Sequence, residues 1–130
     1  MNPKLTNYMN RTILLIEDKT SLSETLKTLL EMHQFKVILA GNGEDGIKLA
    51  RQRQPDLVIS DVYMPVINGY ELLESFKQDS DLSNIPVIML TAKTEIEEIN
   101  LAFKKGAAGY VTKPFLFKNL HATIKKVLLV

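Results

Sequence analysis

The sequence predicts an α/β domain built on a parallel sheet with helices on both faces. Three observations predict it. Short apolar runs alternate five times with segments of helical period. The runs are continuously apolar and rich in β-branched residues, as strands buried on both faces are. They also stop abruptly at polar groups: Glu17-Asp18, Asp61, Thr91 and, after the last run, Lys113. Units of this kind join by right-handed crossovers.

Residues 1–10 read as a flexible lead-in and 11–130 as one domain. Thr12 to Ile16 is the first strand. Ser21 and Glu24 have capping-box spacing, and Leu22, Leu26, Leu29 and Leu30 follow on one helical face. Phe35 to Ala40 is the second strand; Asn42-Gly43 then turns into a helix over 44–53, with Ile47 and Ala50 inward. Pro55 stops that helix, and Asp56 to Ser60 is the third strand. Pro65 ends any ladder, and Asn68-Gly69 signals a turn before a helix over 70–78 that buries Leu72, Leu73 and Phe76. After a polar loop, Pro86 to Leu90 is the fourth strand. Thr94 and Glu97 repeat the capping-box spacing; their helix carries Ile96, Ile99, Ala102 and Phe103 and ends at Gly106. Gly109 to Val111 is a short fifth strand, and the last helix, over 116–130, puts Leu120, Ile124, Val127 and Leu128 on one face.

Composition narrows the function. With 130 residues, 45% of them hydrophobic, the chain can bury a sizeable core. A formal net charge of +1 leaves no electrostatic footprint for direct nucleic-acid or anionic-membrane binding. Lys104-Lys105 and Lys125-Lys126 read as solvated helix faces. Cysteine is absent, which removes thiol catalysis, disulfides and thiolate metal sites and suits a cytoplasmic location. The first residues have no signal-peptide pattern, and no apolar run has the length of a membrane span.

In a parallel sheet all strand C-termini lie along one edge, where ligands of open α/β sheets bind. Glu17, Asp18, Asp61, Thr91 and Lys113 are therefore expected together. Singly, each has a plain structural role open to it: a turn cap for Asp61, helix N-terminal charges for Glu17-Asp18, a turn start for Thr91, a surface charge for Lys113. Jointly they describe a site. Three carboxylates held close repel unless a cation intervenes. Oxygen-only donors in an open, watery setting suit Mg²⁺. A carboxylate flanked by Mg²⁺, an ammonium and a hydroxyl is equipped to attack phosphorus and form an acyl phosphate.

With those residues in view, the chain from Thr12 onward resembles the response-regulator receiver domain of two-component signalling. The resemblance rests on the acidic pair Glu17-Asp18, the loop Asp61-x-x-Met64-Pro65-x-x-x-Gly69, Thr91-Ala92 and Lys113-Pro114-Phe115, in that order. It implies a doubly wound, flavodoxin-like fold of five strands in the order 2-1-3-4-5 with five helices. It implies Asp61 as phospho-acceptor, Asp18 as direct Mg²⁺ ligand, Glu17 as an outer ligand and the Tyr63 backbone carbonyl as a further one. Thr91 resembles the switch hydroxyl, Lys113 the phosphate-binding lysine and Tyr110 the switch aromatic, with a cis Lys113–Pro114 bond. Expected partners are a histidine kinase or histidine phosphotransfer protein, and an output partner read by the fourth helix, fifth strand and last helix. The domain would catalyse its own phosphorylation and dephosphorylation, as a monomer or a phosphorylation-dependent dimer.

Other readings are less well served by the residues. A flavin or nucleotide carrier of this fold class needs a phosphate-cradling first loop, and here that loop begins with two acids. An aspartate-dependent phosphatase would carry a second Asp where Tyr63 stands. Nothing after the fifth strand except one helix offers an output domain, so a receiver taken from a hybrid histidine kinase or a longer regulator stays open as an expectation.

Overall fold

The computed structural model describes residues 10–92 and 94–129. Strands β1 (Thr12–Ile16), β2 (Lys36–Ala40), β3 (Leu57–Asp61), β4 (Val87–Thr91) and β5 (Gly109–Thr112) alternate with helices α1 (Thr20–Met32), α2 (Gly43–Arg53), α3 (Gly69–Gln78), α4 (Ile96–Lys104) and α5 (Phe117–Leu129). The strands form one parallel sheet in the order β2-β1-β3-β4-β5. This is the doubly wound order expected. Among the described residues no helix is long and apolar enough to cross a membrane. The expected lead-in lies, except for Asn10, outside the described residues, as does Val130.

The strands are mostly apolar because each feeds two cores. Alternate side chains point to opposite faces. On one face Leu14, Ile16, Val58, Val87 and Met89 pack with Ala50 of α2, Leu72, Leu73 and Phe76 of α3, and Ala102 of α4. On the other, Ile13, Leu15, Leu57, Ile59, Ile88 and Leu90 meet Leu26 and Leu30 of α1 and Leu120 and Ile124 of α5. Each fully buried aliphatic side chain contributes about 1.5–3 kcal/mol, so the central strands hold the sheet edge firmly in place. Strand β2, at one border, is only partly buried.

Several local expectations need correction. The Ser21–Glu24 box does not form. Helix α1 begins at Thr20 after Lys19, so Ser21 already lies inside the first turn, and Lys19 has no side-chain cap bond. Thr94–Glu97 fails for the converse reason: α4 starts after Glu95, one residue beyond Thr94. The capping box stands instead at Asn68 and Glu71, where sequence suggested only a turn. Asn42 caps α2 by accepting from the Asp45 amide. Phe35, Asp56 and Pro86 precede their strands rather than opening them. On α4 only Ala102 is fully buried, and Ile96 (62%) and Phe103 (47%) are exposed. A helical stripe gives the spacing of apolar groups, not whether anything covers them.

An aromatic knot joins the end of α1 to α5. The His121 ring lies 4.5 Å from that of His33, 5.7 Å from Phe117 and 6.2 Å from Phe35. His33 is tied in turn through Nδ1 to the Leu29 carbonyl at 2.8 Å. Burial, then the charges of His33 and Lys125, hold the His121 imidazole below its ordinary 6.5. A lowered folded-state pKa means that the unfolded chain takes up the proton first. Stability is then whole above about 6.5 and falls as pH drops through that value toward the folded pKa. Urea unfolding between pH 7.5 and 5 is expected to show a smaller loss on acidification in His121→Leu than in the wild type; equal losses would contradict this.

Candidate functional site

Parallel register sets the depth of each functional side chain. Ile16 is opposite Ser60, so Glu17 comes level with Asp61. Asp61 is opposite Leu90, which puts Thr91 one step further out. Thr91 faces Thr112, so Lys113 follows immediately beyond the edge. The short β5 hands Lys113 to the centre: its Nζ donates to Glu17 Oε1 at 3.0 Å and to Asp61 Oδ2 at 3.3 Å. The Lys113–Pro114 peptide is cis.

Glu17 is 2% exposed, Asp61 6% and Thr91 1%, whereas Asp18 faces solvent. Carboxylate oxygens of Glu17, Asp18 and Asp61 all lie within 4.8 Å of one another. Burial pushes the Glu17 carboxyl above its usual range; Lys113 opposes this, and Asp18 and Asp61 add to it. For Lys113, burial works against the charge, but Glu17 and Asp61 outweigh it and raise its pKa. One ammonium thus faces three acids. The shortfall of positive charge and the all-oxygen donor set fit a hard divalent cation.

Backbone supports complete the site. The Lys19 amide donates to Glu17 Oε2 at 3.2 Å, and the Tyr63 amide approaches Asp61 Oδ1 at 3.4 Å. The Tyr63 side chain is exposed. Gly69 closes the Asp61 loop by donating to the Val62 carbonyl at 2.7 Å. Thr91 and Tyr110 share a side-chain hydrogen bond, and burial is the main cause of the raised Tyr110 pKa. The structure therefore gathers Glu17, Asp18, Asp61 and Lys113 at one point and ties Thr91 to Tyr110 on the adjoining strands. Two features escaped sequence reading. One is the Asn68–Glu71 box, whose spacing was visible. The other is Val66, a β-branched residue at φ 71 in the same loop, for which no local signal exists.

Residues 13–125 match the family model of the response regulator receiver domain. The chain belongs to that family. This receiver domain is 38% identical over 116 residues to protein PilH of Pseudomonas aeruginosa, covering 89% of this chain and 96% of the relative. It is 38% identical over 124 residues to histidine kinase P4 of Formosa agariphila, covering 95% of this chain and 9% of the kinase. The chain spans about half the length of the probable transcriptional regulators ycf27 and ycf29 that it also matches. Among solved structures it resembles the chemotaxis protein CheY4 of Vibrio cholerae, with a TM-score of 0.85 and 29% identity over 91% of this chain and 98% of the other. The domain is thus a receiver of two-component signalling, and receivers generally bind Mg²⁺ at an acidic pocket of this kind.

Gly69 is where this receiver has no room to spare. A Cβ there would press on the Met89 methyl and come within 2.8 Å of the Asp61 carbonyl oxygen and 2.9 Å of Val62 Cα. The methyl can swing away, but the backbone atoms belong to the site. Gly69→Ala is expected to cost about 1–3 kcal/mol in urea unfolding and to move the Asp61 and Val62 amide resonances. An unchanged midpoint with unmoved resonances would count against this packing.

Proposed function

We propose that this domain is a cytoplasmic phosphorylation switch that takes a phosphoryl group on Asp61 from a histidine kinase or histidine phosphotransfer protein. One observation carries the reading: Asp61 is buried at the centre of the sheet edge, with Lys113 Nζ 3.3 Å from its oxygen and two further acids beside it. An Asp61 oxygen attacks phosphorus. The new O–P bond forms as the donor's N–P bond breaks, and the released imidazole nitrogen takes up a proton. Lys113 turns from the carboxylate to the transferred oxygens, which bear the developing charge. Asp18, Asp61, the Tyr63 carbonyl and, through water, Glu17 would hold Mg²⁺, which supplies the remaining charge neutralisation.

The output reading follows from Thr91. A phosphoryl group on Asp61 offers new acceptors to its hydroxyl, and in taking them Thr91 releases Tyr110. The altered face comprises α4, β5 and α5, where Ile96, Leu101 and Phe103 already lie exposed for a partner or a second copy. A second reading places the same switch inside a hybrid histidine kinase or a longer regulator. The match to 9% of histidine kinase P4 favours it, and the chemistry at Asp61 is unchanged.

Incubation with acetyl phosphate and Mg²⁺ is expected to add one phosphate, labile to hydroxylamine. Asp61→Asn should take none, and Asp18→Ala should lose the Mg²⁺ requirement together with most of the rate. A base-stable phosphoester, or full labelling of Asp61→Asn, would rule the reading out. Thr91→Ala should still be labelled, because Lys113 and the acids remain, yet lose most of the amide shift at Tyr110 that beryllofluoride produces in the wild type. Equal shifts in both proteins would remove Thr91 from the switch.

A further inference from the structure

Helix α4 buries little of its apolar stripe. Ala102 is its one fully buried residue, while Ile96, Leu101 and Phe103 are exposed. Polar contacts to α3 stand in for an apolar seam. Tyr70, in the first turn of α3, donates its phenolic hydrogen to Glu98 Oε2 at 2.5 Å. One turn along α3, Glu74 pairs at 2.6 Å with Lys105, the residue that follows α4. The second contact is well exposed and contributes little. The first is better shielded, because the Tyr70 ring packs on the core beneath α3 and α4.

Tyr70 and Tyr110 pack against the same buried cluster. Tyr70 lies close enough to Tyr110 to feel its charge, and Glu98 acts on both. Burial first, then the Glu98 hydrogen bond, hold the Tyr70 hydroxyl well above its ordinary pKa, so it stays a donor across the physiological range. Glu98 therefore stands between a fixed helix, α3, and the pair expected to move.

We propose that Tyr70 is a positioning residue of the switch: by holding Glu98 it clamps α4 to α3 in the unphosphorylated arrangement and opposes the rearrangement of Thr91 and Tyr110. The proposal rests on the reading of Thr91 and Tyr110 as the switch. An interaction present in only one of two states biases the equilibrium toward that state, and its loss frees the other.

Tyr70→Phe tests this directly, because the ring stays and only the hydroxyl goes. The amides of Thr91, Tyr110 and Val111 define a line between the free and beryllofluoride-bound wild-type positions. In free Tyr70→Phe these resonances are expected partway along that line. The half-saturating beryllofluoride concentration should fall by roughly three- to tenfold, the scale of the net contribution of one ordinary hydrogen bond. Glu98→Gln retains an acceptor and should stay near the wild type, whereas Glu98→Ala should follow Tyr70→Phe. A purely structural role would lower the melting midpoint and leave the resonances off the line. Resonances of Tyr70→Phe at the wild-type position with unchanged half-saturation would overturn the proposal, as would equal displacement in Glu98→Gln and Glu98→Ala. A wild type that binds beryllofluoride with no shift at Tyr110 would instead overturn the switch reading, and the proposal with it.

Discussion

Two buried carboxylates cannot both stay ionised at one sheet edge unless positive charge stands between them, and here the Lys113 ammonium does. It reaches Glu17 and Asp61 together, across the two strand ends nearest the middle of the sheet. Much of the architecture serves that meeting. The crossovers bring β1 and β3 side by side, the register brings Glu17 level with Asp61, and β5 ends where a lysine can bend back over both. The rigid, doubly covered strands β1, β3 and β4 prevent the acids from relaxing apart.

The arrangement is incomplete in charge by design of its residue types. Lys113 offsets one carboxylate of three, and burial alone already disfavours the charged form of Glu17. In the function proposed, a cation would change this balance by adding charge and a phosphoryl group by drawing Lys113 away. The sheet edge is thus stable enough to persist and unbalanced enough to respond.

The periphery is built differently. Next to the site, α3 is anchored by Leu72, Leu73 and Phe76 and by its Asn68–Glu71 box, so it behaves as part of the frame. Helix α4 puts one fully buried alanine into that frame, has Ile99 half-buried and adds two polar contacts to α3. Apolar burial is non-directional and hard to release piecemeal, whereas a hydrogen bond can be lost singly. The proposed switch, with a rigid site and one movable surface, would benefit from the first kind of contact in the centre and the second at the border.

Chain order and residue type were enough to reveal the alternation of strands and helices, the common edge of the strand ends and the five residues Glu17, Asp18, Asp61, Thr91 and Lys113. Those features depend on local periodicity and on where apolar runs stop, and both are written residue by residue. The capping of α1 and α4 was misread because Ser21 and Thr94 have the right spacing from an acid but stand at the wrong place relative to the first helical turn. The exposure of Ile96 and Phe103, the strained φ of Val66 and the pairing of Tyr70 with Glu98 had no sequence signal, and the sequence put Lys113 beside the acids without showing that it bridges two of them. Each depends on what a distant segment brings to that point: Tyr70 and Glu98 are 28 positions apart, Glu17 and Lys113 96. Packing between elements alone decides which polar groups share a partner and which apolar groups are left without one.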